Sequence, residues 1–252
     1  MRVVTLVLAL SAMLGAQTPP RFDAASIKPS GPNAPPVGRM MTISAVTTPG
    51  RLTMRNASLK DLIKAAWSLE DYQVTAGPPW MASTRFDVEG KSADGAGRER
   101  LLVMLRGLLS ERFRLEVHRE TKEMAVYSMV VAKGGPKFRS LKPEEVGCWP
   151  ACPGAKGTVN HLRQKDLPSL ARFLTRLGSD RPVIDKTGLA GSFDIDVDIS
   201  NALEGGDGPP TNLGMFEAIA GGLERALGLR LVPARAPVEV LVVDRVEPPT
   251  GN

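Results

Sequence analysis

The clearest chemical spacing in the sequence is that of three aspartates in the stretch GSFDIDVDIS. Asp194, Asp196 and Asp198 occupy every second position, which suggests either a metal site or an acid/base cluster. In a β-strand, alternate side chains share one face but lie about 7 Å apart, which is too far to chelate one small ion unaided. An EF-hand loop starting at Asp194 would need Gly sixth and Glu twelfth, where the chain has Ile199 and Gly205. The spacing therefore favours the polar face of a strand.

Nucleophilic catalysis needs a histidine beside a nucleophile, and the sequence has two histidines, His118 and His161. His118 shares the polar face of the alternating stretch RLEVHRE with Glu116 and Glu120, which favours an exposed strand histidine over a general base. His161 precedes a helical pattern and indicates a surface or cap residue. The motifs GxSxG, HExxH and GxxxxGK[ST] do not occur, and the pair Gly221–Gly222 lacks the dinucleotide-binding pattern. We therefore predict no catalytic residue, no metal and no cofactor.

Three side chains are candidates for contact with a ligand or partner. Trp80, in the proline-stiffened loop AGPPWMAS, suits a stacking or docking role, with packing into the local core as the alternative. Arg181, in DRPVIDKTG, suits a carboxylate, with a surface salt bridge to Asp180 or Asp185 as the alternative. His118 is the third candidate.

The N-terminus has the pattern of an export signal. Arg2 precedes an apolar run at 3–14, followed by the small residues Gly15 and Ala16, which predicts a signal peptide over 1–16. The run is shorter than the ~20 apolar residues that span a bilayer; a retained N-terminal anchor is the alternative. We expect an exported, periplasmic or extracellular protein without stable membrane insertion after cleavage.

Export also sets the expected partners and redox state. The net charge of +5 is scattered among acids rather than concentrated in a block, so we expect no nucleic acid partner. The only cysteines, Cys148 and Cys152, lie in CWPAC. Two nearby thiols in an oxidising compartment usually form a disulfide, which we predict here. A redox-active dithiol would more often be CxxC before a helix, and a zinc site needs about four ligands.

Two helix-forming segments have the same apolar spacing. LKDLIKAA at 59–66 and LPSLARFL at 167–174 each have apolar residues at i, i+3, i+4 and i+7, which is one face of a helix. Ser58 and Asp166 precede them as N-caps, and Pro168 falls in the first turn of the second helix. The match continues along the chain and indicates an internal repeat.

Each half of the repeat reads strand–helix–strand–strand–helix–strand–strand. We predict an α+β fold of two tandem modules, at 22–133 and 158–247, joined by a Gly/Pro/Lys-rich linker at 134–157 that holds the CWPAC loop. The last strands of the two modules are predicted at 125–132 and 238–246.

The repeat also bears on the aspartates. The counterpart of Asp194, Asp196 and Asp198 is the series Asp87, Glu89 and Lys91. Because the third acid becomes a lysine, the shared feature is strand alternation rather than a carboxylate cluster.

Most of the mature chain resembles a known family. It is similar to a soil-associated family abundant in Solibacter and other Acidobacteria, a domain of unknown function, over the stretches FDAASIKPS, GRLTMRNASLKDLIKAAW, VTAGPPWMASTRFDVEGK, LLSERFRLEVHRETKEMAVYSMVVAKGGPK, RPVIDKTGLAGSFDIDVDI and LGLRLVPARAPVEVLVVDRVEPP. The resemblance implies export and provides no catalytic residues. Related domains fused to membrane-embedded sensor metallopeptidases imply extracytoplasmic sensing or docking. Each half, especially VIDKTGLAGSFDIDV and LGLRLV, also resembles the short N-terminal domain of secretins and TonB-dependent receptors, an α+β docking module.

We therefore expect a non-enzymatic binding or interaction protein of the cell envelope. In the leading hypothesis, a partner protein adds a strand to an edge at 125–132 or 238–246. One alternative is a binder of a small molecule or cell-wall glycan in a cleft between the modules, with Trp80 as its platform. The other is an uncharacterised hydrolase that uses His118 with nearby acids.

Overall fold

The computed structural model describes residues 19–31, 46–146, 161–164, 166–198 and 212–249. Within these ranges the chain mixes helices with three sheets, so the predicted α+β class is confirmed. The helices are α1 (Leu59–Trp67), α2 (Trp80–Ser83), α3 (Arg98–Phe113), α4 (Pro143–Val146), α5 (Leu167–Arg176) and α6 (Asn212–Leu227). The strands are β1 (Ala24–Pro29), β2 (Val46–Thr48), β3 (Arg51–Ser58), β4 (Val74–Thr75), β5 (Arg85–Lys91), β6 (Glu116–Val131), β7 (Arg139–Ser140), β8 (His161–Gln164), β9 (Val183–Asp185), β10 (Phe193–Asp198) and β11 (Leu229–Arg245).

The chain divides into two compact units. The first comprises Met1–His118 and Val242–Asn252, and the second comprises Arg119–Leu241. These units reflect contacts between residues, whereas the predicted modules at 22–133 and 158–247 reflect repetition along the chain. Apart from α2, β7 and α4, the order β3–α1–β4–β5–α3–β6 is followed by β8–α5–β9–β10–α6–β11. The tandem repeat itself stays a prediction.

In the first unit, β5 lies between β1 and β3 in an antiparallel sheet of order β1–β5–β3–β2. Strand alternation places apolar residues of β3 and β5 on the buried face: Leu52, Met54, Phe86 and Val88. The register shifts within β3 at Asn56, which has a positive φ of 50°. The backbone N–H of Asn56 donates to Asp87 Oδ1 at 2.8 Å, so this carboxylate holds the irregularity in place.

The helices of the first unit follow their sequence signals. Ser58 Oγ accepts the N–H of Asp61 at 3.1 Å, and the Asp61 carboxylate accepts the N–H of Ser58, which forms a capping box at the start of α1. The apolar residues of α1 and α3 are buried in the same unit: Leu59, Leu62, Ile63, Ala66, Leu101, Leu102, Met104, Leu105, Leu108, Leu109 and Phe113. The predicted cap and the predicted apolar face of α1 are therefore confirmed.

In the second unit, β10 lies between β7 and β8, and β6 pairs with β9 in parallel. Asp166 caps α5 as predicted, because its carboxylate accepts the N–H of Ser169 at 2.7 Å. The core combines residues from α5, α6 and neighbouring strands, including Met129, Leu167, Leu170, Leu174, Phe193, Ile195, Phe216, Ile219, Leu223 and Leu229.

The chain reverses after α6 at Gly228, whose φ is +66°. A Cβ built on Gly228 would lie 1.9 Å from the backbone oxygen of Gly135. The N–H of Ala132 donates to the Gly228 carbonyl and the N–H of Lys137 to the Leu227 carbonyl, both at 2.9 Å. The backbone at 227–228 is thus held against the backbone at 132–137, and β11 begins at the next residue, Leu229.

The structure corrects two strand predictions. The segment 125–132 was expected as the last strand of the first module, but it is part of β6, which is continuous from Glu116 to Val131. β11 is also continuous, although Pro233 and Pro237 lie within it; proline lacks only an N–H, and its fixed φ fits extended backbone.

The two strands expected to have free edges each have a neighbour on both sides over part of their length. β6, which contains 125–132, lies between β11 and β9, and β11, which contains 238–246, lies between β4 and β6. The outer strands of this sheet are β4 and β9. β9 pairs only with Tyr127–Met129 of β6, and β4 has only two residues, so strand addition at 125–132 or 238–246 stays a prediction.

Candidate functional site

A groove of about 430 Å³ opens in the second unit between α6, the first residues of β11 and one residue of β6. This volume falls within the range of sites that bind small ligands, roughly 300–1,000 Å³. The groove lies entirely within the second unit, so its geometry follows from that unit alone.

One face of α6 forms the helix wall of the groove, through Phe216, Glu217, Ala220, Gly221 and Glu224. These positions share a face because they recur every three to four residues. Phe216 is buried at the base, whereas the two glutamates and Gly221 are exposed. A Cβ on Gly221 would meet no atom within 4 Å, so the missing side chain leaves open space between the carboxylates.

The opposite wall consists of Leu229, Arg230 and Leu231 of β11, together with Tyr127 of β6. Leu229 is buried, Leu231 and Tyr127 are half-buried, and Arg230 is exposed. Strand alternation places Leu229 and Leu231 on one face of β11 and turns the side chain of Arg230 to the other face. The groove therefore has an apolar floor and, on the helix side, a rim with two exposed glutamates.

The aromatic rings of Tyr127 and Phe216 line the groove, and the guanidinium of Arg181 lies next to them outside it. The ring of Tyr127 lies 6.1 Å from that of Phe216, and Arg181 lies over the Tyr127 ring at 5.1 Å, which is cation–π distance. Arg181 Nε also donates to both carboxylate oxygens of Asp180, at 3.1 and 3.0 Å. Hydrogen bonding from Arg181 lowers the pKa of Asp180. Asp180 in turn raises the pKa of Arg181. The structure thus places Arg181 in the salt bridge considered as its alternative role, and it supports Tyr127 from outside the groove.

Several charged residues of the second unit are held in ion pairs. Arg139 pairs with both Glu145 and Asp194, at 2.8 and 3.2 Å, and Arg181 pairs with Asp180. Hydrogen bonds from Arg139 lower the pKa of Glu145 to about 2. By contrast, Glu217, Glu224 and Arg230 form no ion pair with any residue in the described ranges. Unpaired charges around an apolar floor are available to a ligand.

Trp80 lies in the first unit, at the start of α2, and is half-buried. Its ring stacks on that of Phe113, with centroids 6.4 Å apart and planes inclined by 19°. The turn before it is tight, because a Cβ on Gly77 would lie 2.3 Å from the sulfur of Met81. This geometry corresponds to the packing alternative for Trp80.

His118 is an exposed strand residue beside acids, as the alternation indicated. Its Nδ1 lies 2.9 Å from both carboxylate oxygens of Asp244, and its side chain is 53% exposed. A carboxylate on Nδ1 orients an imidazole for catalysis in hydrolases, which also need a nucleophile at the other nitrogen. In the part of the chain that the structure describes, no hydroxyl or thiol is hydrogen-bonded to the His118 ring.

The aspartate series lies on β10, where Phe193 and Ile195 are buried between the acids. Asp194 accepts a hydrogen bond from Arg139 at 3.2 Å, so it acts as an ion-pair partner on a strand face. Among the described residues, no group of three or more His, Cys, Asp or Glu side chains is arranged to hold a metal. Cys148 and Cys152 lie outside the described residues, as does the predicted signal peptide at 1–16.

Sequence reasoning missed the groove. It considered Gly221–Gly222 only as a nucleotide motif, although a glycine pair inside a helical pattern is itself a signal of close approach or open space. Tyr127 and Phe216 were assigned only to a strand and a helix face. Their proximity depends on the pairing of β6 and on the reversal at Gly228, neither of which local patterns contain.

None of the helices in the described ranges has the length and apolar character needed to cross a membrane. Residues 22–246 match the family described as a protein of unknown function, DUF3738, so the chain belongs to that family. No curated protein and no solved structure gives a significant match. The family match confirms the expectation of a domain of unknown function over most of the chain. The soil-associated origin and the likeness to the secretin and TonB-receptor domain stay predictions.

Proposed function

We propose that this member of the family is an exported, non-enzymatic binding protein of the cell envelope that holds a small ligand in the groove of its second unit. The observation that carries the proposal is the groove itself, with its floor of Tyr127 and Phe216 beside the exposed residues Glu217 and Glu224, which form no ion pair with any residue of the described ranges. Ligand sites combine an apolar lining with a few placed polar groups, and this is that combination.

Two further observations favour a small ligand over strand addition or hydrolysis. The strands expected to accept a partner already have a neighbour on each side over part of their length, which leaves only short edge segments for a partner strand. His118 has an orienting acid, Asp244, but no hydroxyl or thiol of the described residues is hydrogen-bonded to its ring. Export rests on the N-terminal pattern of Arg2, the apolar run 3–14 and the small residues that follow.

The binding part of the proposal is tested by thermal shift of the mature chain against a panel of amino acids, short peptides, sugars and polyamines. A ligand that binds the folded state at a hundred times its Kd adds about 2.7 kcal/mol of stability. For a chain of this size, that corresponds to a rise in Tm of roughly 5–10 °C.

A blocked groove provides the control for this screen. Gly221→Leu places a side chain in the open space between the carboxylates, and we expect it to abolish the shift. Gly107→Leu is the matched variant, because Gly107 is an exposed glycine in α3 whose Cβ also meets nothing within 4 Å. It should retain the full shift. A ligand whose shift survives Gly221→Leu binds elsewhere and would contradict the assignment to the groove.

Export is tested separately by expressing the full chain in a bacterial host and measuring the intact mass of the product in each cell fraction. We expect a periplasmic species that lacks about the first 16 residues. A full-length cytoplasmic species would contradict the export part of the proposal without touching the groove.

A further inference from the structure

One edge of β6 is open over most of the strand. β9 pairs only with Tyr127–Met129, and among the described residues no other strand lies on this side of β6. Since β6 begins at Glu116, the segment 116–126 has no strand on this side. Backbone groups at such an edge are able to pair with a further strand.

The contacts of β9 show which backbone groups of β6 point to this edge. The N–H of Tyr127 donates to the Pro182 carbonyl at 2.8 Å, and the Met129 carbonyl accepts the N–H of Lys186 at 2.9 Å. Backbone direction alternates along a strand, so the N–H and C=O groups of the odd-numbered residues within 119–125 point to the same side. These groups form the open edge.

The charges of the open segment are complementary to those of a second, antiparallel copy. The sequence at 119–123 is Arg–Glu–Thr–Lys–Glu, and its centre, Thr121, is also the middle residue of 116–126. Two copies paired antiparallel about Thr121 place opposite charges face to face at each charged position of 119–123: Arg119 with Glu123, and Glu120 with Lys122. Opposite charges and Thr–Thr pairs directly across two strands are both stabilising.

The neighbouring registers are unfavourable. Two identical antiparallel strands always place their central residue opposite its own copy. A centre at 119, 120, 122 or 123 would therefore place two like charges directly opposite each other, which destabilises the pair. Charged side chains usually protect an edge from pairing, but in this order they exclude four registers and favour the one about Thr121. The N–H and C=O of Thr121 point outward, so the two copies exchange hydrogen bonds at the centre.

Contacts within the chain leave these groups available to a second copy. The Glu123 carboxylate forms no ion pair with any residue of the described ranges, and Arg119 pairs with Glu239. A guanidinium has five N–H donors, so Arg119 is able to bind Glu239 and a second carboxylate together. The Glu123 carbonyl accepts Arg235 Nη2 at 3.2 Å and has a second lone pair for another donor.

We propose that the edge of β6 at 116–126 pairs with the same edge of a second copy of this chain, antiparallel about Thr121. A contact made by one strand edge is smaller than the ~1,200 Å² of a standard interface, so the dimer is weak and reversible. None of the groove residues lies within 116–126. The pairing therefore goes beyond the proposed function and does not depend on it.

The first test is sedimentation equilibrium of the mature chain at concentrations from about 10 μM to about 1 mM, where weak association becomes visible. We expect a reversible monomer–dimer equilibrium. A chain that stays monomeric over this whole range would overturn the inference and leave the edge to a strand of another protein.

A proline at the centre tests whether the edge makes the dimer. Proline is tolerated on an edge strand where its missing N–H would face solvent. Thr121→Pro should therefore keep the fold, measured by circular dichroism, and weaken dimerisation at least tenfold. Thr121→Val keeps the N–H and should dimerise like the wild type. A dimer that survives Thr121→Pro forms elsewhere, and an unfolded Thr121→Pro would show that this N–H does not point outward. Either result would contradict the proposal.

Charge reversal tests the register. Arg119→Glu and Glu123→Arg each place like charges opposite each other in two identical copies, so each variant alone should dimerise at least tenfold more weakly. An equimolar mixture of the two variants should recover the affinity of the wild type, because every such pair again joins a glutamate to an arginine. Glu239→Gln removes the internal partner of Arg119 and should leave dimerisation unchanged. Wild-type affinity in either single variant, or no recovery in the mixture, would overturn the register about Thr121.

Discussion

Helices α3 and α6 each have 16 residues and each follows the central strand of its unit's sheet, yet only α6 lines the groove. Aligned by their ends, they bury equivalent positions: Leu102, Leu105, Leu109 and Phe113 in α3, and Phe216, Ile219, Leu223 and Leu227 in α6. The same alignment pairs Gly107 with Gly221 and Arg106 with Ala220. The helices therefore share one packing face, but α3 also buries Met104 and Leu108, whose counterparts Ala218 and Gly222 are exposed and half-buried.

Arg106 is a further difference between α3 and α6. Its Nε donates to the carbonyl of Ala66 near the end of α1 at 2.7 Å, and its guanidinium lies over the ring of Trp67 at 5.4 Å. The corresponding residue Ala220 has no such reach, and beside it Gly221 has no side chain at all. In α3, the long side chain of Arg106 contacts the end of α1. In α6, the small residues Ala220 and Gly221 leave open space that a ligand can occupy.

The residues after the two helices also differ, and the largest effect is expected there. Both Arg114 and Gly228 have positive φ, 49° and 66°. Only at Gly228 would a Cβ meet a backbone atom, the oxygen of Gly135 at 1.9 Å. We expect Gly228→Ala to lower the free energy of unfolding by about 3 kcal/mol or more, because one of two hydrogen-bonded backbones must move. Urea unfolding measures the loss.

Gly135→Ala separates the two causes of that loss. Gly135 has a φ of +76°, but a Cβ there meets nothing within 4 Å. The substitution should therefore cost only the left-handed backbone term, about 1 kcal/mol. If the two alanine variants were equally unstable, the clash would not be the reason that position 228 is glycine.

The second effect concerns Arg106 itself. We expect Arg106→Leu to lower the free energy of unfolding by about 2 kcal/mol, because the Ala66 carbonyl loses a hydrogen bond from a charged donor and Trp67 loses its cation. Arg100→Leu is the matched variant in the same helix, since Arg100 is exposed and pairs only with Asp94 on the surface. It should change stability by less than about 1 kcal/mol. Equal losses would mean that α3 needs only positive charge, not this contact.

The comparison also shows what the sequence could and could not predict. The 3.6-residue spacing in 59–66 and 167–174 correctly located α1 and α5, and the caps Ser58 and Asp166 followed from residue type. Local patterns do not contain strand neighbours, so the interior positions of β6 and β11 were missed. They also do not contain the open space at Gly221, which depends on how α6 meets β11 after the turn at Gly228.

Helices α1 and α5, the first longer helix of each half, begin with the same pair of residue types in opposite order. α1 has Ser58 at the cap and Asp61 three residues on, whereas α5 has Asp166 at the cap and Ser169 three residues on. Burial raises the pKa of Asp61, but hydrogen bonds from Ser58 and Lys64 outweigh it and hold the pKa below its ordinary value. Arg85 also pairs with Asp61 at 3.0 Å.

This arrangement predicts a specific acid sensitivity. A carboxyl whose pKa is lower in the folded state contributes stability that is complete above the unfolded pKa of about 4 and is lost as pH falls through the folded value. We expect the wild type to lose the stability from this group as pH falls below about 4, and Asp61→Asn to lose less over the same range. Urea midpoints at a series of pH values measure both slopes. Parallel curves for the two proteins would show that Asp61 is not a source of the acid dependence.

The smallest effects should come from the paired glycines, and they separate stability from binding. Gly107→Ala and Gly221→Ala each add a better helix former in open space, so each should raise the free energy of unfolding by about 0.5–1 kcal/mol. The two gains should be similar, because both residues are exposed and lie at the same place in helices of equal length. Only Gly221→Ala narrows the groove, so only it should weaken a groove ligand, and by less than Gly221→Leu. Equal stabilisation with unequal binding would assign the role of Gly221 to the groove, whereas a loss of stability at Gly221 alone would mean that this glycine serves the packing of α6.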